Sequence, residues 1–558
     1  MPVWQQQHYT KNDLVKEKMK KKIIVLSLIL LIATLLRFYK LGINPPSLSW
    51  DEASIGYNAY SIEQTLRDEH GRFLPYDYFS AFGDYKPPLS IYLTAVSLRI
   101  FGFSEWAIRF PSAFLGVLSV FLVYLLIEEY RRNNKIESFK DSLSLMGAFS
   151  LAVSPWHTIL SRQMFEANIA TFFIILGVYL ILKGLENGRF LVLGILSLVA
   201  SLYTFNSPRV FVPLLLIGIV IFFYRKLWLQ KRWGLISLFA GIVFSLPLIP
   251  HILSPLGQLR YKEVNIFSDI KIVEQANLWQ KDEGNSFFSK FIHNRRVGYF
   301  RLFLARYFDH FNIDYLFFKG DINPKFSTRS TGQFFPIEVV FLIMGIYFLI
   351  SREKKLGLFL LYWLLVGLVP AAMARETPHA LRTEITLPTW QLFSACGLYY
   401  SFLLIKKWKY LFITFLCLIS GWQFLSYLHN YFVHLPLDYS QDWQYGYKLA
   451  AKEIEASQNR YERIYISDKY GRPYIFFLTY QKYMPLKFQK NQNTTIDGFG
   501  FYHVNSYDKY IFGPISNQKQ IFPNSLLIGP EDEIPSRAKK LKDIYYLNGE
   551  KSLVIAEM

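Results

Sequence analysis

Long apolar blocks are the feature that most limits how this chain can fold. Runs such as KIIVLSLILLIATLL, FLGVLSVFLVYLLI and ATFFIILGVYLIL carry almost no charge, and they approach the roughly 20 residues that cross a bilayer as a helix. This grouping, more than the overall 52% hydrophobic content, predicts a polytopic membrane protein. No small-residue cleavage site follows the first block, and Arg37 and Tyr39 flank it, so we expect a retained anchor.

The positive charge of the chain, a net +19, could suggest binding to nucleic acid. Many of the Lys and Arg residues, however, fall in short loops between apolar blocks, which is the pattern of cytoplasmic loops in membrane proteins. The two cysteines, Cys396 and Cys417, both lie within apolar blocks. They provide neither a disulfide framework nor a metal-ligand spacing.

The segment 87–102 decides the topology, because it is apolar but short and Arg99 interrupts it. The basic N-terminus, 1–22, is expected in the cytoplasm, so the first span at 23–40 crosses outward. If 87–102 lies on the membrane surface, all the larger basic clusters become cytoplasmic, and we therefore predict an interfacial helix there. The clusters are 128–135, 224–233, 351–355 and 406–409. The predicted apolar face consists of Leu89, Leu93, Val96 and Ile100.

About eleven membrane-spanning helices follow from this assignment. They are predicted at 23–40, 106–127, 142–157, 168–183, 190–206, 209–224, 234–252, 336–350, 356–372, 387–405 and 409–427. The outside then holds the loops 41–105, 158–167, 253–335 and 373–385. We expect three parts: a cytoplasmic N-terminus at 1–22, a membrane domain that carries the catalytic site at 23–427, and an extracytoplasmic domain at 428–558.

The C-terminal part differs in kind from the apolar blocks before it. Its pattern predicts a helix at 442–457 and strands in RYERIYIS and YIFFLTY. The last segment, IYYLNGEKSLVIAEM, predicts a hairpin around Asn548 and Gly549. We therefore expect a small mixed α/β domain outside the membrane.

Two adjacent carboxylates, Asp51 and Glu52, follow the first span. Ser49 and Glu52 have the spacing of a capping box, so a second interfacial helix is predicted to begin here. Capping alone explains Glu52 about as well as a supporting catalytic role does. Asp51 is the stronger catalytic candidate, because its place at the membrane surface brings it close to lipid-borne substrates. The predicted apolar face of this helix is Ile55, Ala59, Ile62 and Leu66.

Other ionisable residues are predicted on the same outer face. Charges at membrane depth are costly and are functional candidates by default, and their convergence carries more weight than any single one. Lys86 is the candidate opposite Asp51, although an ordinary snorkelling lysine would also suit its position. The further candidates are Arg162, Glu166, Arg209, Arg375, His379 and Arg382.

This set of residue types suits transfer of a sugar from a lipid phosphate. A phosphate leaving group needs cations to hold its developing charge, and it needs no general acid. An incoming hydroxyl needs one general base. A glycosidase would instead need two carboxylates acting in partnership across the glycosidic bond.

The chain resembles bacterial members of glycosyltransferase family 39, the protein-mannosyltransferase and aminoarabinose-transferase-like group with the GT-C fold. The matching segments follow the family's order over about residues 20–430 and are jointly specific. They are the Asp51–Glu52 pair, DYKPPLSIYL, FGFSEWAIRFPSA, SRQMFEANIATFF, YTFNSPRVFVPL, YLFFKGDINPKFSTRSTGQFFPIE and PHALR. The resemblance implies an active site under the first outer loop and a polyprenyl-phosphate sugar donor.

The resemblance also implies roles for single residues. Asp51 corresponds to the first-loop acid, the base or acceptor-positioning group, and Glu166 to a second acidic position where many members have Asp. Lys86 matches the lysine expected near the donor phosphate. His379 and Arg382 match a basic loop that faces the lipid phosphate, and Arg209 is a weaker match. Asp51 and Glu166 are the candidate ligands if a divalent metal takes part.

Two other functions remain open from the sequence. A transporter or lipid flippase would place charged or Gly/Pro-broken segments at mid-membrane in paired halves, whereas here the charges gather at one face. A surface-binding protein with a membrane anchor would not need about eleven spans. The acceptor, whether protein, lipid or cell-envelope glycan, is not indicated. We expect no nucleic acid partner.

Overall fold

The computed structural model describes residues 11–82, 84–134, 142–405, 408–497, 502–518 and 521–558. Helices dominate the first three quarters of the chain. Those from the N-terminus to the seventh predicted span are α1 (Lys11–Phe38), α2 (Trp50–Thr65), α3 (Pro88–Phe101), α4 (Glu105–Asn134), α5 (Ser142–Val153), α6 (Pro155–Ser161), α7 (Glu166–Gly184), α8 (Arg189–Leu202), α9 (Pro208–Leu229) and α10 (Lys231–Ser245). A short hairpin of β1 (Phe79–Ala81) and β2 (Asp84–Lys86) precedes α3.

The later helices form the loop 253–335, the remaining predicted spans and the C-terminal domain. They are α11 (Ile249–Leu253), α12 (Pro255–Val264), α13 (Ile270–Asp282), α14 (Phe287–Ile292), α15 (Arg295–Asp309), α16 (Glu338–Arg352), α17 (Lys354–Ala372), α18 (Ala380–Thr383), α19 (Thr389–Leu404), α20 (Lys409–His429), α21 (Leu435–Asp438), α22 (Tyr445–Glu453), α23 (Pro473–Tyr480) and α24 (Pro485–Asn491). The strands of that domain are β3 (Arg463–Ile466), β4 (Gln492–Ile496), β5 (Tyr502–Tyr507), β6 (Tyr510–Phe512), β7 (Ser525–Gly529), β8 (Lys539–Tyr545) and β9 (Lys551–Glu557).

A helix lies at each of the eleven predicted spans. Among the described residues, six helices are by themselves long and apolar enough to cross a membrane, and seven if the bent pair α5 and α6 counts as one span. The chain is thus a multi-pass membrane protein, and the number of eleven crossings stays a prediction. Only 6% of the most apolar stretch of α20 is buried, so this helix packs little against the rest of the protein.

The basic clusters meet at one end of the helical bundle. This arrangement agrees with the surface placement of 87–102, because a crossing there would have separated them. Residues 406 and 407 of the last cluster lie outside the described ranges. The contacts that join the other clusters are Lys22 Nζ to Glu128 Oε2 at 2.9 Å, Lys226 Nζ to the carbonyl of Asn133, and Lys355 Nζ to the ring of Phe223 at 4.6 Å.

The two helices of the first outer loop differ in what surrounds them. On α3, Val96 and Ile100 of the predicted apolar face are exposed, while the opposite face is buried. Helix α2 begins with the predicted capping box, in which the Glu52 N–H donates to Ser49 Oγ and the Ser49 N–H donates to the Glu52 carboxylate. Its apolar residues Ile55, Ala59 and Ile62 contact protein rather than an outer surface, because α2 is buried over most of its length.

The C-terminal domain covers α2. Hydrogen bonds join Thr479 to the Ala53 carbonyl, and the Tyr57 hydroxyl to the Tyr483 carbonyl. The domain is built on a seven-stranded sheet in the order β4-β5-β6-β3-β7-β9-β8. The predicted strand in RYERIYIS and the C-terminal hairpin are present as β3 and as β8 with β9. The predicted strand in YIFFLTY is wrong: this segment is α23, a helix that begins at Pro473 and is buried up to Thr479.

A buried ion pair ties the first loop to the membrane helices. The Arg109 Nε of α4 donates to the Glu52 Oε1 at 2.8 Å, and both side chains are fully buried. The remaining donors of Arg109 bind Glu52 Oε2 and backbone carbonyls between the first span and α2. Glu52 also accepts from the Met164 N–H at 3.1 Å. Helix α2, α4 and the chain before α7 are therefore held at one point.

We predict that Arg109→Met destabilises the protein by about 3–5 kcal/mol, because it leaves the Glu52 carboxylate buried without a counter-charge. Unfolding of the purified full-length protein in detergent, followed by tryptophan fluorescence, measures this loss. The matched control is Arg99→Met, which breaks the pair of Arg99 with Glu63 at 2.8 Å, where the Arg99 side chain is 79% exposed. That control is expected to cost less than about 1 kcal/mol. Equal losses in both variants would contradict the structural role of the buried pair.

Candidate functional site

Lys86 is the last residue of the β1–β2 hairpin, and Pro87 and Pro88 follow it directly. In the antiparallel register Lys86 pairs with Phe79, so the hairpin fixes the backbone before α3 turns away. The Lys86 side chain is only 4% exposed. A lysine this deeply buried requires counter-charges close to its ammonium.

Three carboxylates supply those counter-charges. Lys86 Nζ lies 2.8 Å from Asp51 Oδ1, 3.3 Å from Glu166 Oε1 and 3.7 Å from Asp84 Oδ2. Burial lowers the pKa of Lys86, but Asp51, Glu166 and Asp84 outweigh burial and hold that pKa above its ordinary value. The sequence-predicted residues Asp51, Lys86 and Glu166 therefore form one cluster around a protonated ammonium.

Asp51 is the member of this cluster that faces outward most. It occupies the first turn of α2, and its side chain is 37% exposed, against 10% for Glu166. Its Oδ2 accepts from the indole Nε1 of Trp50 at 3.0 Å. An ionised carboxylate has about four acceptor positions, so Asp51 can accept a further donor beside Trp50 and Lys86.

Lys325 is a cation near Asp51 that the sequence interpretation did not single out. It lies in the loop between α15 and α16, with its Nζ 4.8 Å from the centre of the Trp50 ring. Burial lowers the pKa of Lys325, and Asp51 acts in the opposite direction. In the described part of the chain no carboxylate oxygen lies within 4.0 Å of its ammonium. The motif that contains Lys325 was recognised, but nothing in the sequence brings it toward Trp50.

Arg472 is a second such cation, and it comes from the C-terminal domain. Its guanidinium lies 5.2 Å from the centre of the Phe82 ring and interacts electrostatically with Asp51. Gly471 makes this approach possible, since it has φ +115° and a Cβ there would lie 2.9 Å from Trp50. No sequence signal identified Arg472, because the tail carried no recognised motif.

Arg209 lies at the start of α9, on the side of the cluster where Asp84 lies. It interacts electrostatically with Asp84, and its Nε is 3.4 Å from the Leu202 carbonyl. Its Nη2 is buried and has no hydrogen-bond partner among the described residues. An unpartnered guanidinium nitrogen beside the cluster is suited to accept an anionic ligand.

Two of the predicted site residues belong to the scaffold instead. All five N–H groups of Arg162 donate within the protein, four to backbone carbonyls between α1 and Asn44 and one to the Tyr431 hydroxyl. The predicted placement of Arg162 against a substrate is therefore not what its contacts support. Glu52 is likewise fully buried, and Arg109 and two backbone N–H groups occupy its carboxylate.

The side chain of Phe326 lies between the cluster and the basic loop with His379 and Arg382. The ring centre of Phe326 lies 5.4 Å from that of Phe165, next to Glu166, and 5.0 Å from that of His379. Burial, and then Arg382, lower the pKa of His379 far below its ordinary value, so the imidazole is neutral. Arg382 lies 3.9 Å from Glu376. The described contacts do not bring either residue to Asp51, and Arg375 binds the Asn265 carbonyl.

The residues around Lys86 do not fit a divalent metal in this arrangement. Within the described ranges, no group of three His, Cys, Asp or Glu side chains could hold a metal ion. Asp51 and Glu166, the candidate ligands, both direct an oxygen at the Lys86 ammonium. The cation that compensates these carboxylates is thus part of the chain.

Comparison with known proteins supports the resemblance predicted from the sequence. Residues 85–251 match the family described as dolichyl-phosphate-mannose-protein mannosyltransferase. This segment contains Lys86, Glu166 and Arg209, whereas Asp51 and His379 lie outside it. Among curated relatives, YkcB of Bacillus subtilis (strain 168), named as a candidate mannosyltransferase, is 28% identical over 178 residues, which are 31% of this chain and 22% of that protein. A second candidate mannosyltransferase of the same organism, YycA, is 23% identical over 41% of this chain and 32% of its own length.

The chain thus spans about a fifth to a third of the length of these relatives. The fold is matched along nearly the whole chain. ArnT from Cupriavidus metallidurans in the apo state has a TM-score of 0.53 at 11% identity and covers 97% of this chain and 98% of its own. The same protein bound to undecaprenyl phosphate gives a TM-score of 0.51 at 12% identity, with 95% and 97% covered. The predicted GT-C-like membrane fold is confirmed.

A double-mutant cycle tests the central ion pair without an assay of function. We predict that Lys86→Met and Asp51→Asn each destabilise the protein, and that the double variant loses about 1–3 kcal/mol less than the sum, because the second change removes a charge that the first left uncompensated. Unfolding in detergent measures all four proteins. The control cycle combines Lys86→Met with Glu63→Gln on the far end of α2, where additivity within about 0.5 kcal/mol is expected. Additivity in both cycles would contradict the pairing.

Proposed function

We propose that this protein is a membrane glycosyltransferase that moves a sugar from a polyprenyl-phosphate donor to an acceptor hydroxyl. The reaction takes place at the outer face of the cytoplasmic membrane, with the N-terminus in the cytoplasm and the C-terminal domain outside. The observation that carries the proposal is the convergence of Asp51, Lys86 and Glu166 at the end of the bundle opposite the basic clusters. The match of residues 85–251 to a mannosyltransferase family supports it.

Asp51 acts as the general base in this proposal. Its carboxylate is the most exposed of the cluster, so an acceptor hydroxyl can donate to it while Lys86 and Trp50 hold its orientation. The acceptor oxygen attacks the anomeric carbon, the bond from that carbon to the phosphate oxygen breaks, and the proton passes to Asp51. Attack from the face opposite the phosphate inverts the anomeric configuration. Glu166 contacts the same Lys86 ammonium as Asp51 does and helps to hold it in position.

The leaving phosphate requires cations that are not already neutralised. Lys86 faces three carboxylates, so it cannot by itself offer net positive charge. Lys325, Arg472 and Arg209 lie around the same cluster and supply that charge. We therefore assign the phosphate to these three cations, with Lys86 beside them. His379 packs against Phe326, and Arg382 lies in the same loop as His379.

Two arguments support a polyprenyl-phosphate donor: the chemistry of a lipid-linked phosphate and one structural comparison. A phosphate on a long lipid would keep its head at the membrane surface, where the cluster lies at the ends of predicted spans. The ArnT structure that shares the fold binds undecaprenyl phosphate, which is consistent with such a donor. A transporter has less support, since the charged cluster lies at one face and residues 85–251 match a mannosyltransferase family. The acceptor is a hydroxyl on protein, lipid or cell-envelope glycan.

We predict that Asp51→Asn and Lys86→Met lower sugar transfer at least about 100-fold, because they remove the base and the cation that orients it. The assay incubates purified protein with a panel of polyprenyl-phosphate sugars and measures donor consumption. Asp77→Asn is the matched control: Asp77 lies in the same loop and pairs with Arg72 at 2.7 Å rather than with Lys86. It should retain nearly full transfer. Full transfer by both cluster variants would refute the proposed mechanism.

Substitution of the cations should change donor binding more than the chemical step. We predict that Lys325→Met or Arg472→Met raises the KM for the donor about 10- to 100-fold, because each removes a charged hydrogen bond to phosphate. Lys469→Met is the control, since Lys469 lies in the same loop as Arg472 and pairs outward with Asp532. Deleting the C-terminal domain would be a poorer test, because it would uncover α2 along with removing Arg472. An unchanged KM in both variants would place the phosphate elsewhere.

A further inference from the structure

A cavity of about 670 Å³ lies between the first loop and the C-terminal domain, apart from the Asp51 cluster. None of Asp51, Lys86 and Glu166 lines it. We call it the interdomain cleft. The six lining residues that define it here are Lys40, Glu105, Trp106, Lys448, Lys452 and Lys482.

The interdomain cleft has a surplus of positive charge. Lys448 pairs with Glu105 at 2.7 Å, and Glu105 is the single acidic residue in its lining. In the part of the chain that the structure describes, no carboxylate oxygen lies within 4.0 Å of the ammonium of Lys40, Lys452 or Lys482. Three uncompensated ammonium groups around one cavity favour binding of an anion with several acceptor oxygens, such as a phosphate.

The cleft lies at the ends of three predicted spans, where lipid headgroups are expected. Lys40 follows the end of α1 by two residues, Glu105 is the first residue of α4, and Phe432 lies just beyond α20. These three helices are predicted spans that end on the outer side. Ile43, on the cleft lining, is 68% exposed and provides an apolar rim. Basic pockets between the ends of membrane helices are suited to lipid headgroups, with lysines reaching the phosphate and apolar groups meeting the acyl chains.

We propose that the interdomain cleft binds the phosphate headgroup of an anionic membrane lipid, a site separate from the one that performs sugar transfer. Lys40, Lys452 and Lys482 contact the phosphate, and the ring of Tyr480, with Lys452 at 5.9 Å from its centre, closes one wall. The lipid joins the first loop to the C-terminal domain. Tyr480 also hydrogen-bonds Ser47 and the Leu48 N–H, so the cleft wall leads directly to the cap of α2.

Native mass spectrometry of the full-length protein in detergent, titrated with dioleoylphosphatidylglycerol, tests this inference. The wild type is expected to bind one such lipid tightly, and Lys452→Gln combined with Lys482→Gln is expected to weaken binding about 30-fold. The matched control, Lys487→Gln with Lys490→Gln, removes two exposed lysines of α24 and should bind like the wild type. Lys452→Arg with Lys482→Arg keeps the charge and should also bind.

Separate arms distinguish a lipid from a soluble phosphate. Glycerol 1-phosphate is expected to compete only weakly, because it lacks the acyl chains that meet the rim. Equal affinity for glycerol 1-phosphate would overturn the assignment to a lipid. Unchanged phosphatidylglycerol binding in the Lys452 and Lys482 double glutamine variant, or an equal loss in the α24 control, would overturn the site itself. Because the measurement is lipid binding, none of these results bears on the proposed sugar transfer.

Discussion

The buried carboxylate of Glu52 joins the parts of the chain that must meet for the outer cluster to exist. It receives Arg109 from α4, the Ser49 N–H at the cap of α2, and the Met164 N–H just before α7. An isolated charge at this depth would be strongly unfavourable, and the pair is tolerated because every donor of Arg109 has a partner. The geometry around this pair fixes where α2 and α7 begin, and therefore where their first-turn acids, Asp51 and Glu166, are held.

Asp51 and Glu52, which are adjacent on α2, therefore have different roles. Successive residues on a helix differ by about 100° in direction, so Glu52 faces the scaffold while Asp51 faces outward toward Lys86 and Lys325. The capping box accounts for Glu52 structurally and leaves Asp51 for chemistry. The same division holds at Arg162 and Glu166. Arg162 is saturated by carbonyl oxygens at the end of the first span, whereas Glu166, four residues later, reaches the cluster.

Periodicity and capping signals predicted the helices of the membrane part, the start of α2 and the terminal hairpin, because each depends on residues close in sequence. YIFFLTY was misassigned because its apolar run has no alternation and fits a buried helix as well as a strand. Charge types and order also pointed to Asp51, Lys86 and Glu166. The sequence did not identify Lys325 or Arg472 as site residues. A loop about 270 residues beyond α2 brings Lys325 to Trp50, and a glycine with positive φ in the C-terminal domain lets the chain at Arg472 approach Trp50. Only tertiary packing determines such approaches.

In the proposed mechanism, the charge of the cluster around Lys86 gives the C-terminal domain a part in the site. Three carboxylates around one ammonium leave a local excess of negative charge, which would repel a phosphate. A site of this kind can bind an anionic donor only if cations from other elements reverse that excess. Arg209 comes from the membrane helices, Lys325 from the loop after α15, and Arg472 from the C-terminal domain. The net charge beside Asp51 therefore depends on the docking of the C-terminal domain over α2, so that domain docking and binding of an anionic donor are coupled through Arg472.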